Sequence, residues 1–339
     1  MNRVIRIGPV SVQVSPRAGL MTFLIGLGMI FACAIALCAG SFPMNTQDVL
    51  AALTGDSDPM HKLVVYDLRL PRILTALGAG AAFGIAGAMF QTMLRNPLAS
   101  PDIIGFNAGA SCGALFAMVT FGGFVLLGAL IGGALAAMLV LVLSWKNGLH
   151  PYRLILIGIG VSLTLSAFAD LLITRMDALT AADMAKWLIG TLNARSWADV
   201  IRVTVGLGLL LPLIIWLNFV LTRLSLSDET ATGLGLAVSP LRLTITAAGV
   251  ALVALAISVA GPLPFVAFVS GPIARRLVGH GKPALLAAGG IGALVTLLAD
   301  TASRLIPFVS LPTGVFTAII GAPVLMWLLL VQARKGNII

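Results

Sequence analysis

Apolar stretches of about 20 residues follow one another along almost the whole chain, each long enough for a helix to cross a hydrocarbon core of about 30 Å. Between them lie short breaks marked by charge, proline or glycine. Read this way, the pattern predicts ten helical spans, at 20–40, 70–94, 98–119, 122–144, 153–173, 201–222, 242–261, 264–279, 284–305 and 312–332. The third is interrupted by Pro97, Pro101 and Asp102, and the eighth is surrounded or broken by Pro262, Pro264, Gly271 and Pro272. The expected architecture is an all-α integral membrane protein: a segment 1–19, one transmembrane domain 20–332 and a tail 333–339. The first run is longer than the apolar region of a secretory signal and nine more follow it, so it is expected to stay as the first helix.

Composition supports a bilayer location, with 59% of the 339 residues hydrophobic and only 10% charged. The net charge of +9 raises the possibility of nucleic-acid binding, but the basic residues are scattered singly through short loops. Topology accounts for them better. With ten spans, the loops on the side of the termini hold 13 basic residues against Asp102, Asp228 and Glu229, and the other side holds eight basic residues against nine acids. The positive-inside rule then places both termini in the cytoplasm. Cys33, Cys38 and Cys112 fall within apolar stretches and read as packing residues. His61, His150 and His280 are far apart, so no metal site is expected. Glycines spaced by four, Gly80 with Gly84, Gly105 with Gly109 and Gly113, and Gly128 with Gly132, read as surfaces where helix backbones approach closely.

Ion-coupled transporters keep ionisable groups near the bilayer midplane. Here the span centres carry no ionisable side chain, with Asp170 and Asp300 near helix ends. A nucleotide-binding G-x-x-x-x-G-K-[ST] motif is also missing, since Gly279-His280-Gly281-Lys282 has the wrong spacing and is followed by Pro283. Active transport by this chain would therefore draw on another chain for energy. Such a partner needs a contact on the cytoplasmic side, and 224–241 is the longest patterned loop there. It opens with Ser227 and the acids Asp228 and Glu229, breaks at Gly233 and Gly235, and reads as two short helices on the membrane surface.

Several ordered motifs make the chain resemble the permeases of iron-siderophore, haem and cobalamin ABC importers, the FecCD or BtuC type. They are Leu68-Arg69-Leu70-Pro71-Arg72; Gln91 with Arg95-Asn96-Pro97-Leu98-Ala99-Ser100-Pro101-Asp102; and Glu229-Thr230-Ala231-Thr232-Gly233-Leu234-Gly235. Gly261-Pro262-Leu263-Pro264-Phe265-Val266, Ile273-Ala274-Arg275-Arg276, Leu311-Pro312-Thr313-Gly314-Val315 and Gly321-Ala322-Pro323 complete the set. The stretches 95–110 and 145–160 are most similar to the branch that carries ferric enterobactin. One departure is Ser270-Gly271-Pro272, which stands where the family usually has Pro-His before Ile-Ala-Arg-Arg.

The resemblance implies a type II importer permease in a bacterial inner membrane, dimerised with a homologous second permease chain or with a second copy. Two ATPase subunits, carrying ATP and Mg, would bind below and a periplasmic siderophore-binding protein above, with no cofactor held by this chain. It also implies residue roles. Arg69, Arg72 and Arg304 would dock the binding protein, arginine being suited to this because its fork forms two parallel bonds to a carboxylate. Asp228, Glu229, Ala231, Gly233, Leu234 and Gly235 would couple to the ATPase. Asn96, Pro97, Leu98, Pro151 and Tyr152 would form a cytoplasmic gate, and Ser162, Thr164 and Ser166 would line the pathway. Haem or cobalamin is the alternative cargo. From a different class, an integral membrane enzyme or channel lacks support, since no paired acids, nucleophile with base or metal cluster stands near a span end.

Overall fold

Where the apolar runs end, the helices end, and the stops are set by proline and glycine. The structure, a computed structural model, describes residues 3–7, 10–14, 16–40, 42–55, 57–102, 105–145, 151–226, 228–279, 283–306 and 311–334. It opens with two strands, β1 (Arg3–Ile7) and β2 (Val10–Val14), paired antiparallel with Ile5 opposite Val12. The remaining elements are helical: α1 (Pro16–Cys38), α2 (Thr46–Thr54), α3 (Pro59–Lys62), a π-helical stretch Leu63–Arg69, α4 (Leu70–Met93), α5 (Phe106–Phe121), α6 (Val125–Ser144) and α7 (Pro151–Thr174). Then come α8 (Ala178–Ile189), α9 (Trp197–Leu224), α10 (Asp228–Gly233), α11 (Val238–Ala260), α12 (Val266–Val278), α13 (Leu285–Leu305) and α14 (Thr313–Arg334).

All ten predicted spans fall on helices, but not all of those helices are full crossings. Among the described residues, seven helical segments are long and apolar enough to span a membrane: α1, the stretch from α3 through α4, α6, α7, α9, α11 and α13. The expected start of the third span at residue 98 is replaced by a helix beginning at Phe106, because Pro97 and Pro101 hold 95–102 in turns and irregular backbone. The expected eighth span is the 13-residue α12, about 20 Å long at 1.5 Å per residue. Irregular backbone of this kind is tolerated at membrane depth only where protein or a water-filled cavity covers it. The two β-strands depart from the purely helical expectation, and α2, α3, the π-helical stretch and α8 are helices outside the ten predicted spans. Asp177 caps α8 by accepting the Thr180 N–H at 3.0 Å, and that bond holds its carboxyl below the usual range.

The core is built around α4, which packs against α13, α11, α12 and α9. Buried positions make up 78% of the most apolar stretch of α4, 78% of that of α11 and 67% of that of α13, against 17% for α1 and 22% for α7 and α9. The first three are therefore interior helices, while the others turn apolar faces outward. Gly80 and Gly84 bring α4 against the Gly292 and Ala288 carbonyls of α13, and Gly87 brings it against the Ala267 carbonyl of α12. Gly109 and Gly113 of α5 meet Gly132 and Gly128 of α6 in the same way, so a β-carbon at any of these positions would strike a neighbouring helix. Gly105 serves a different end: its φ of +89° starts α5 in a left-handed turn.

One polar contact inside this core follows directly from the unusual Ser270-Gly271-Pro272 sequence. Pro272 has no N–H, so the Phe268 carbonyl one turn earlier loses its helical donor. The buried Gln91 of α4 supplies the replacement, its Nε2 donating to that oxygen at 2.8 Å, while its Oε1 accepts from Arg275 Nη2 at 2.9 Å. Gly271 leaves the room, since a β-carbon there would collide with Gln91 Oε1.

Candidate functional site

The three arginines expected at one end of the bundle do converge, but they turn inward. Arg69, at the end of the π-helical stretch, is 4% exposed and donates to the Leu37 and Phe42 carbonyls. Arg72, one turn on, reaches instead to the fully buried Asp300 of α13, with Nε at 2.9 Å from Oδ2 and Nη2 at 2.8 Å from Oδ1. Arg304 lies 3.3 Å from the other side of that carboxylate and donates to the Ala39 carbonyl at 3.2 Å. Thr313 at the start of α14 donates to Asp300 Oδ1 at 2.9 Å. One carboxylate thus holds two guanidinium groups and ties α4, α13 and α14 together, while Arg69 bonds to backbone carbonyls. Residues 307–310 lie outside the described residues.

At the opposite end, the predicted loop 224–241 holds one separate helix, α10. Its expected second short helix is the start of α11, and Ser227 lies outside the described residues. Ala231 is fully buried, whereas Glu229, Gly233, Leu234 and Gly235 are exposed. Asp228 turns toward the bundle, where Arg95 Nη2 and Arg242 Nη2 reach its Oδ1 at 2.7 and 3.0 Å. Beside it, Asn96 Oδ1 accepts the Leu98 N–H at 2.9 Å, closing a tight turn through Pro97. Tyr152, at the start of α7, is 75% exposed, and 146–150 lie outside the described residues. The same end carries Arg17, which caps the α12 carbonyls of Arg276 and Leu277 at 2.9 Å, and Arg276 lies over the Trp327 ring at 4.4 Å.

Between these ends, α5, α7, α8 and α14 and the Pro262–Pro264 break enclose an open cavity of about 800 Å³. Ser162 and Ser166, four residues apart, both line it. Thr164 falls on another side of the helix and donates to the Gly160 carbonyl at 2.9 Å. Sequence reading missed the opposite wall, where Asn107 donates to the half-buried Asp102 and where, among the described residues, Asn107 Oδ1 and Ser111 Oγ are buried without hydrogen bonds. Asp102 therefore faces the cavity and is not part of a fully solvated loop. Linear sequence offered no signal for this, because the two prolines that fold Asp102 back read only as connectors. Among the described residues, no group of three His, Cys, Asp or Glu side chains could hold a metal ion.

Polytopic helices, an open and mostly apolar cavity set with a few polar side chains, and ionic clusters at the two ends are the frame of a membrane transport subunit. The chain belongs to the FecCD transport family, whose model matches residues 28–331. It is 39% identical over 318 residues to the ferric enterobactin transport system permease protein of Escherichia coli K12, covering 91% of this chain and 96% of that one. With the achromobactin transport system permease protein of Dickeya dadantii it shares 35% identity over 304 residues, covering 88% and 87%. A solved metal-chelate type ABC transporter in an inward-facing conformation superposes with a TM-score of 0.77 at 29% identity, covering 92% of this chain and 99% of that one.

Proposed function

We propose that this chain is the permease subunit of an ATP-driven importer that moves an iron(III)-siderophore of the catecholate, enterobactin-like class from periplasm to cytoplasm across a bacterial inner membrane. The observation that carries the proposal is the 39% identity, over nearly the full length of both chains, to a ferric enterobactin permease. A homologous second permease, or a second copy, would complete the pathway, with two ATPase subunits at the α10 end and a binding protein at the Asp300 end. ATP and Mg would reside on the ATPase. A haem or cobalamin cargo remains the second reading within the same family.

Physical features support each role. At the Asp300 end, Arg69, Arg72 and Arg304 against Asp300 leave a local excess of positive charge, and although these groups bond within the chain, that charge would attract carboxylates of a binding protein. At the other end, exposed Leu234 beside Gly233 and Gly235 offers a small apolar knob for a cleft in the ATPase. The turn Asn96-Pro97-Leu98 and the Pro151-Tyr152 helix start would gate the inner mouth, and Ser162 and Ser166 would line the pathway, with Thr164 turned away from the cavity. Uptake of radiolabelled ferric enterobactin, haem and cobalamin by cells with and without the gene tests the assignment. Loss of the ferric chelate alone is expected, and loss of cobalamin or haem uptake instead would reassign the cargo.

A further inference from the structure

Helices α4 and α10 end in the same turn, yet place different residues at its strained position. In α10, Leu236 N–H donates to the Ala231 carbonyl at 3.1 Å and Gly235 N–H to the Thr232 carbonyl at 2.9 Å. In α4, Asn96 N–H donates to Gln91 at 3.1 Å and Arg95 N–H to Thr92 at 3.2 Å. Both are Schellman turns, which need a left-handed residue and normally use glycine. Gly235 fits, with φ +81°, but α4 places Arg95 there, with φ +52°. Backbone preference opposes an arginine at that place, so its side chain is where an explanation must lie.

That side chain spans to the other turn. Its Nε and Nη2 both reach the carbonyl of Leu224, the last residue of α9, at 3.2 and 2.9 Å, and Nη2 also meets Asp228 Oδ1, on the first residue of α10, at 2.7 Å. Arg242 on α11 holds the same carboxylate oxygen. Both ends of the short 224–228 connection are thus gripped by the residue that immediately precedes the Asn96-Pro97-Leu98 turn. We propose that Arg95 is a strut that transmits displacement of α10 to this turn, with Asp228 as its anchor. The inference rests on the proposed coupling role of α10 and gating role of 96–98. Arg95 and Asp228 are both partly exposed, so the ion pair contributes little to stability. Its value is directional: a planar fork bonded to a carbonyl and a carboxylate fixes an orientation that a single ammonium does not.

Arg95→Gly separates the strut from the fold, because glycine suits the left-handed backbone and only the side chain is lost. In proteoliposomes holding the complete complex, with radiolabelled ferric enterobactin as probe, this variant is expected to retain its ATPase and to keep hydrolysing ATP. Chelate moved per ATP hydrolysed should fall by about 5- to 150-fold, the range of ordinary coupling between sites. Arg95→Lys, which keeps the charge without the fork, should fall between Gly and wild type. Wild-type transport per ATP in Arg95→Gly, or failure of that variant to co-purify with the ATPase, overturns the strut. A wild-type complex that moves no chelate overturns the underlying functional reading instead.

Discussion

Arg72 on the first turn of α4 grips Asp300 of α13 through two nitrogens, and the carboxylate it holds is fully buried. An isolated charge there would be costly, so the pair is expected to matter most when only one partner is removed. Asp300→Ala strands Arg72 and Arg304, and should destabilise the fold by about 3–5 kcal/mol. Replacing Arg72 and Asp300 together by leucine should cost less. Thermal unfolding of detergent-purified protein, followed by the loss of a monodisperse chromatographic peak, checks the ordering. A single variant as stable as wild type would show that the network is incidental.

Helix contact through glycine makes a second expectation. Gly113→Leu would push a side chain into the Gly128 carbonyl of α6, whereas Gly208 on α9 has open space around its α-carbon. Overpacking of this kind typically costs about 1–3 kcal/mol or more. Folded yield should drop sharply for Gly113→Leu and stay near wild type for Gly208→Ala. Equal yields would remove glycine packing as the basis of the α5–α6 contact.

The two sides of α10 should respond differently to glutamate. Gly233 is exposed with open space where a β-carbon would stand, while Ala231 is fully buried. Gly233→Glu is expected to insert and purify normally yet lose ATPase co-purification, because a bulky charge would enter a partner cleft unpaired. Ala231→Glu should lose folded protein as well. Normal co-purification and transport by Gly233→Glu would make α10 a solvated connector.

These contrasts mark what sequence could and could not deliver. Apolar runs located the spans because a bilayer demands length and continuous hydrophobicity, which are local properties of the chain. The same test overlooked α2, α8 and the π-helical stretch, which are short and flank the crossings. It also began the third span eight residues early, because a proline-rich turn buried against protein looks like part of an apolar run. Residue chemistry was less legible still. Arg69 and Arg72 were expected to act together in docking, but a π-helical turn ends at Arg69 and the two guanidinium groups reach different targets. Asp300 lies 228 residues from Arg72, and no local pattern announces that pairing. Ser162 and Ser166 share a helical face, which Thr164, two residues from each, does not.

We propose that this chain moves a ferric siderophore only when a partner ATPase supplies the energy. The most direct test is accumulation of radiolabelled ferric enterobactin in proteoliposomes containing the permease, its ATPase and binding protein, compared with the permease alone under imposed proton or sodium gradients. Accumulation is predicted in the complete system on addition of ATP and Mg, and none in the permease alone under any gradient. Gradient-driven accumulation by the permease alone would contradict it.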